Sequence, residues 1–410
     1  MPAPTLNEYK VPLASKVPAN YGDPVELFVR EYNGTKTNKP PLPVLMLHGR
    51  SVPALPGFDL APVPGGSATR YSWAQELADD GYDVFIMDLQ GSGRSTRPKV
   101  MDEACNANPA QQQQVLVPHP LTEPCPPPPP YAHELGNSES DWAELDKVVA
   151  FIQNLPGRNK PIRFIGWSAA AFVMGPYTLQ NPGKVESLLL LAPMFPPKGR
   201  WSQKPAEPFG RPMEAGTLPV SKPPNMFGFP MNVGSMTGVK ASLASTPDLW
   251  EPGIPDLVWA ACMANDALGS KWGPEVAGAP GTYEGVLRYR NTYWWGWNNQ
   301  TVPYENPAGT RVLGERVPVL IVYGDADRTA NSPATFPDVL RFSVPDLYAA
   351  VPGPQKLMFR LAGAGHSLVW ERTAKPLHHM SKQWCKNHKV EGLTSGSWFR
   401  DFDGELTPVQ

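Results

Sequence analysis

Charge is scarce in this chain: 18% of its 410 residues are Asp, Glu, Lys or Arg, against about 25% in an average soluble domain. The 36 basic and 38 acidic side chains nearly cancel to a formal net charge of -2, so the electrostatic footprint of a nucleic-acid or anionic-membrane binder is missing. Long apolar runs are missing too. Nothing approaches the ~20 consecutive apolar residues of a membrane span, and the N-terminus does not combine a basic segment, an apolar stretch and a cleavage site. The chain is expected to be soluble, and either cytoplasmic or secreted after removal of a leader, with the cytoplasm favoured.

Cysteine is sparse, at four. Cys262 and Cys385 stand alone, while Cys105 and Cys125 bracket a proline-rich loop and would pair in an exported protein. The expectation from a cytosolic setting is four free thiols. Asn33-Gly34-Thr35 and Asn299-Gln300-Thr301 are glycosylation sequons, too short to move that balance. Neither His119 and His133 nor His378-His379 and Cys385 with His388 has the spacing of a zinc site. Gly91-Ser92-Gly93 lacks the G-x-G-x-x-G pattern, and no Walker lysine follows. No metal and no cofactor is expected.

What the chain has in excess is proline, at 51, gathered into a few stretches. Residues 1–25 read as irregular, and Pro98 to Gly136, with its run Pro126 to Pro130, reads as polyproline and loop that would drape over a site's mouth. Between such stretches lie short apolar runs. Val44-Leu45-Met46-Leu47, Asp83 to Asp88 and Leu188 to Ala192 are too continuously apolar for one-sided strands and are predicted to be buried parallel ones. Ser72 to Asp80 and Asp141 to Asn154 have the apolar spacing of helices. Leu27 to Tyr32 is an outer strand, and the residues after Lys389 look like a tail.

The informative stretch is Pro161-Ile162-Arg163-Phe164-Ile165-Gly166-Trp167-Ser168-Ala169-Ala170-Ala171, which reads as strand, sharp turn and helix. A serine hydroxyl is a poor nucleophile unless a tight bend exposes it and a base reaches it. Gly166 and Ala170 occupy the two small positions of a G-x-S-x-G elbow, the second with one extra methyl group. Two later apolar runs also end in chemistry. Val317 to Tyr323 leads into Gly324-Asp325-Ala326-Asp327, and Lys356 to Leu361 into Gly363-Ala364-Gly365-His366.

The order serine, acid, histidine, each at a strand end, together with Leu45-Met46-Leu47-His48-Gly49 and Asp88-Leu89-Gln90-Gly91-Ser92-Gly93-Arg94-Ser95, resembles the α/β-hydrolases along nearly the whole core. The resemblance implies an α/β fold, a mainly parallel twisted sheet with helices on both faces. Ser168 would be the nucleophile and His366 the base. The family's spacing of a glycine, two residues and then the acid selects Asp327 and leaves Asp325 in the turn. The oxyanion hole would be the backbone N–H groups of Arg50 and Ala169, with Ser51 as the alternative to Arg50.

From residue 194 to about 310 no strand–helix alternation can be traced. The division expected is a core of residues 1–193 and 311–410, with the proline-rich insertion at about 98–136 and a cap at 194–310. The cap is dense in Trp, Phe and Met, which either line an adaptable apolar pocket or pack cap against core. Trp167, Trp294, Trp295 and Trp297 are the candidates for substrate contact. The expected partner is a small-molecule ester or lactone, because that is the commonest use of this arrangement in the family, and the aromatic and methionine side chains of the cap together argue that it is bulky and largely apolar. Thioesters, amides and a hydroxynitrile-lyase reaction on the same residues are the alternatives. Nothing indicates oligomeric state.

Overall fold

The continuously apolar runs form the middle of one ten-stranded sheet in a computed structural model of the chain, which describes residues 4–36, 39–60, 71–212, 220, 227–244, 249–306, 308–332 and 341–409. In chain order the strands are β1 (Thr5–Ala14), β2 (Pro24–Asn33), β3 (Pro43–Leu47), β4 (Asp83–Met87), β5 (Ile162–Trp167), β6 (Val185–Leu191), β7 (Val319–Gly324), β8 (Lys356–Leu361), β9 (Gly396–Arg400) and β10 (Leu406–Pro408). They lie across the sheet as β1-β2-β4-β3-β5-β6-β7-β8-β9-β10. Every neighbouring pair from β4 to β9 is parallel, and antiparallel pairing is confined to the two ends. β3, β4 and β5 bury every residue, as strands covered by helices on both faces must.

Two expectations fail at the sheet's ends. The stretch read as irregular over residues 1–25 holds a strand instead, since Thr5–Ala14 pairs along its whole length with β2. Pro12 is tolerated there because an edge strand leaves one row of N–H groups unpaired in any case. The residues after Lys389 are not a tail either: β9 pairs with β8, and β10 with β9.

The helices begin where their caps say they should. Ser72 accepts a hydrogen bond from the Gln75 N–H at the start of the helix Trp73–Asp79. Asn137 and Ser140 form a reciprocal capping box before the helix Ser138–Asn154, which satisfies two otherwise orphaned donors.

Between β6 and β7, the strand Met231–Gly234 pairs antiparallel with Leu287–Arg290, alongside the helices Met236–Ala244 and Ile254–Ala264. The proline-rich segment packs on this insertion rather than over a cavity. Met101, Leu116 and Leu135 join Met231, Val233, Trp272 and Val286 in a second apolar cluster. Cys105 and Cys125 are joined by a disulfide, so the expectation of four free thiols is corrected; Cys262 and Cys385 are free and buried. A fold that holds the two Cα atoms 5.5 Å apart places them within ordinary bridging distance.

Insertion and core are also locked by buried ion pairs. Arg290 bonds the Asp141 carboxylate and donates to the Gln90 carbonyl at 2.8 Å. Within the insertion, Arg288 grips both oxygens of Asp266, at 2.9 and 2.6 Å, and it reaches out to donate to the Met101 carbonyl at 2.6 Å. No helix among the described residues is long and apolar enough to cross a membrane.

Candidate active site

Ser168 follows β5 directly and takes a φ of 57°, a left-handed backbone that costs a non-glycine residue energy and lifts its side chain out of the strand. A short 3-10 turn, Ser168–Ala170, leads into the helix Ala171–Gln180. A Cβ added to Gly166 would lie 3.1 Å from both Ala170 Cβ and Met174 Sδ. With alanine at position 170, any side chain at 166 would press on Ala170 and Met174, which would have to give way by a few tenths of an ångström.

Close backbone approach also brings the acid and histidine loops together. A Cβ on Gly324, the last residue of β7, would stand 2.1 Å from the Ala364 carbonyl oxygen. That gap is closed by the hydrogen bonds Asp325 N–H to Leu361 O and Ala326 N–H to Ala364 O, both 3.0 Å. The result is a continuous chain of contacts. Ser168 Oγ lies 2.9 Å from His366 Nε2, and His366 Nδ1 lies 2.9 Å from Asp327 Oδ2. Because Nδ1 faces a carboxylate it carries the imidazole proton, leaving Nε2 to accept from the serine hydroxyl. Asp327 is buried, and its Oδ1 accepts from the N–H groups of Thr329 and Ala330, both at 2.9 Å. Asp325 is exposed.

The histidine loop has a second anchor. Glu371 is buried and accepts from the N–H groups of Gly365 at 2.9 Å and Ser367 at 3.2 Å, on either side of His366. Burial pushes its pKa up to about 7, against the pull of the Gly365 N–H. From the other side, the Trp167 indole N–H donates to the His366 carbonyl at 3.1 Å.

The loop after β3 runs past the serine. A Cβ on Gly49 would lie 3.1 Å from Ser168 Cβ. His48 is buried, and burial lowers its pKa. Its Nε2 accepts from the Leu89 N–H at 3.2 Å, so the remaining proton sits on Nδ1 and faces the Gly49 carbonyl. Asp88 braces the same loop, accepting from the Ala54 N–H at 2.8 Å and from the Arg94 N–H at 3.0 Å. Arg50 and Ser51 both line the cavity beyond, and Ala169 is buried in the turn after Ser168.

That cavity has a volume of about 880 Å³. Ser168 and His366 share its wall with Trp167, Met194, Phe227, Trp250, Tyr289 and Phe342. Of the four tryptophans expected at the substrate, only Trp167 is there. Trp294 stacks on Phe172 at 4.6 Å and donates to Asp141 at 3.1 Å. Trp295 is buried and donates to the Phe209 carbonyl at 3.0 Å. Trp297 packs over Gly175 and edge-on to Phe195. All three sit between insertion and core. Tyr289, Phe342 and Glu371 drew no attention in the sequence, because nothing local separates a wall residue from a packed one.

A sheet of this topology with a serine on a strained turn after its middle strand defines a class, and the class is matched in sequence: the family model described as "Alpha/beta hydrolase family" matches residues 44–377. The chain belongs to that family. No curated protein matches it. Similar solved structures include a thioesterase domain from the curacin biosynthetic pathway, at 16% identity and a TM-score of 0.47, covering 91% of this chain and 98% of that one. Another is 2-hydroxy-6-oxo-6-phenylhexa-2,4-dienoate hydrolase from Rhodococcus sp. strain RHA1, at 14% identity and a TM-score of 0.42, covering 92% and 99%. A thermophilic esterase from Thermogutta terrifontis aligns at 15% identity and a TM-score of 0.41, covering 93% and 99%.

Proposed function

We propose that this hydrolase-family protein is a serine hydrolase that cleaves a carboxylic ester or lactone of a bulky, largely apolar substrate through an acyl-enzyme on Ser168. The observation that carries the reading is the 2.9 Å contact between Ser168 Oγ and His366 Nε2, with Asp327 on the other imidazole nitrogen. Ser168 Oγ bonds to the acyl carbon while its proton passes to Nε2, and Asp327 stabilises the imidazolium. The oxyanion is held by the backbone N–H groups of Arg50 and Ala169, a contribution of roughly 2.7–4 kcal/mol per donor. Collapse breaks the bond to the leaving oxygen, which takes the proton from Nε2. Water then attacks the acyl carbon, His366 takes its proton and returns it to Ser168, and the acid leaves.

Residues 194–310 act as the cap in this reading, since Phe227, Trp250 and Tyr289 share the cavity with Ser168. The wall they build supports a bulky apolar substrate group. The Cys105–Cys125 disulfide supports an exported protein over a cytoplasmic one.

The test is a turnover screen across p-nitrophenyl esters of increasing chain length, lactones, acyl-CoA thioesters and cyanohydrins, with Ser168→Ala and His366→Ala as controls. Esters or lactones should be the best substrates. Each variant should lose several orders of magnitude and the double variant little more, because the residues act as a unit. Turnover confined to thioesters or cyanohydrins would move the activity to one of those alternatives.

A further inference from the structure

The cavity wall holds a cation without an anion. Arg50 reaches into the cavity from the loop that carries Gly49 against Ser168. Two rings hold its guanidinium: Cζ lies 4.3 Å from the centroid of Phe227 and 5.2 Å from that of Tyr289. Nη1 is buried and makes no hydrogen bond among the described residues. Other buried arginines are matched with acids. Arg288 has Asp266, Arg290 has Asp141, and Arg158 has Glu31 and Asp83. No carboxylate among the described residues forms an ion pair with Arg50. Burial lowers the Arg50 pKa, opposed by the neighbouring Tyr289 hydroxyl.

A guanidinium whose buried Nη1 has no hydrogen-bond partner is costly to keep. Phe227 and Tyr289 take its faces, and faces are where cation–π contact is made. The Tyr289 hydroxyl also accepts from the guanidinium, and what remains is Nη1, whose N–H groups suit a carboxylate oxygen. A single half-buried guanidinium among Phe227, Trp250, Tyr289 and Phe342, in a wall that also carries Asp325, Arg328 and Glu371, suits one negative charge. Arg328 also lines the cavity but is exposed, as is Asp325, so among the described residues the wall offers no second cation held away from solvent for a phosphate dianion or a polyphosphate.

We propose that the Arg50 side chain is a carboxylate-recognition site, and that the substrate class is a mono-anionic ester carrying a free carboxylate away from the scissile bond. This rests on the hydrolase reading for the scissile bond alone. The carboxylate would accept from the unpartnered Nη1 of Arg50 while the rest of the substrate lies along the aromatic side chains.

The experiment compares matched probes: p-nitrophenyl hemiglutarate and hemisuberate against p-nitrophenyl butyrate and octanoate, and 4-acetoxybenzoate against phenyl acetate. Wild type should prefer the anionic member of at least one pair. Arg50→Met should lower that preference, taken as a ratio of kcat/KM values, by roughly 10- to 100-fold, the range expected for a charge-assisted hydrogen bond. The loss should lie mainly in KM. Arg50→Lys should restore part of it, since it keeps the charge and loses the fork. A ratio that is the same in wild type and in folded Arg50→Met overturns the proposal.

Binding measured without turnover separates the two readings. Calorimetry on Ser168→Ala should show monomethyl suberate binding more tightly than methyl octanoate. Arg50-dependent binding in a protein that turns over no ester would keep the carboxylate site and contradict the hydrolase. Equal binding of the two probes, with neutral esters turned over, would do the reverse. Should Arg50→Met fail to fold, the Ser168→Ala comparison decides alone, and equal binding overturns the site.

Discussion

Asp327 faces His366 Nδ1 with both carboxylate oxygens, Oδ2 at 2.9 Å and Oδ1 at 3.1 Å, while Oδ1 also accepts the N–H groups of Thr329 and Ala330. The backbone bonds fix the carboxylate so that the imidazole finds it already oriented. Asp325, two residues earlier, is exposed. Asp327→Asn should therefore lower turnover by about 10⁴, the loss seen when a catalytic histidine is deprived of its orienting acid. Asp325→Asn should cost less than tenfold on the same rough scale. Steady-state kinetics on both variants, matched for folding by circular dichroism, checks the pair, and the reverse order moves the acid to Asp325.

The elbow predicts a packing effect. Gly166 and Ala170 face each other with space for one methyl group, since a Cβ on Gly166 would lie 3.1 Å from Ala170 Cβ. Gly166→Ala should destabilise by roughly 1–3 kcal/mol through overpacking and displace Ser168. Ala170→Gly in the same chain should recover part of both losses. Urea midpoints and kcat for the single and double variants report it, and additive losses would be the wrong outcome.

How much of this was legible from sequence alone differs sharply between centre and edge. β3, β5 and β7 announce themselves because they are buried along their whole length and mostly apolar, and β8 by its buried Leu357-Met358-Phe359 although Lys356 and Arg360 are half-buried; β5, β7 and β8 lead into Ser168, Asp327 and His366. β1 alternates exposed and half-buried residues around Pro12, and β9 is half-buried throughout. Neither makes an apolar run, and their pairing comes from distant partners. Cys105 and Cys125 were legible as the pair that would bridge in an exported protein but not as a bridge, since they stand 20 positions apart and only the folded loop brings them together. In the insertion the difficulty is chemical: a tryptophan that lines a cavity and one that fills a core share the same hydrophobicity.

That ambiguity can be tested. Trp295 and Trp297 are fully buried between insertion and core, whereas Tyr289 and Phe342 line the cavity. Trp295→Ala and Trp297→Ala should each cost roughly 3–5 kcal/mol of stability and leave the ranking of ester chain lengths as it was. Tyr289→Ala and Phe342→Ala should change that ranking. Thermal melts combined with a chain-length series read both effects, and a changed ranking in Trp297→Ala would place it in the substrate's path.

Glu371 gives a pH signature with a definite sign. Burial raises its carboxyl from 4.5 to about 7, so folding takes up a proton between those values. The stability this group contributes is full below about pH 4.5 and is lost as pH rises through about 7. Glu371→Gln removes the titration. Stability of the variant relative to wild type should therefore rise between pH 5 and 8 by up to roughly 3 kcal/mol. Urea unfolding of both proteins across that range measures it, and a difference independent of pH would contradict the raised carboxyl. Glutamine keeps one acceptor for the N–H groups of Gly365 and Ser367, so kcat should fall by less than tenfold on the scale expected of a positioning residue.

The claim on which the rest depends is that Ser168 is a nucleophile that becomes acylated. Wild type is mixed with p-nitrophenyl octanoate, quenched in acid within the first turnovers and weighed intact, beside Ser168→Ala treated identically. Wild type should gain the mass of one octanoyl group, located at Ser168 by peptide mapping, in step with a burst of p-nitrophenol, and Ser168→Ala should show neither. A Ser168→Ala protein that still releases p-nitrophenol at the wild-type rate, or an acyl group mapped to another residue, would contradict the account.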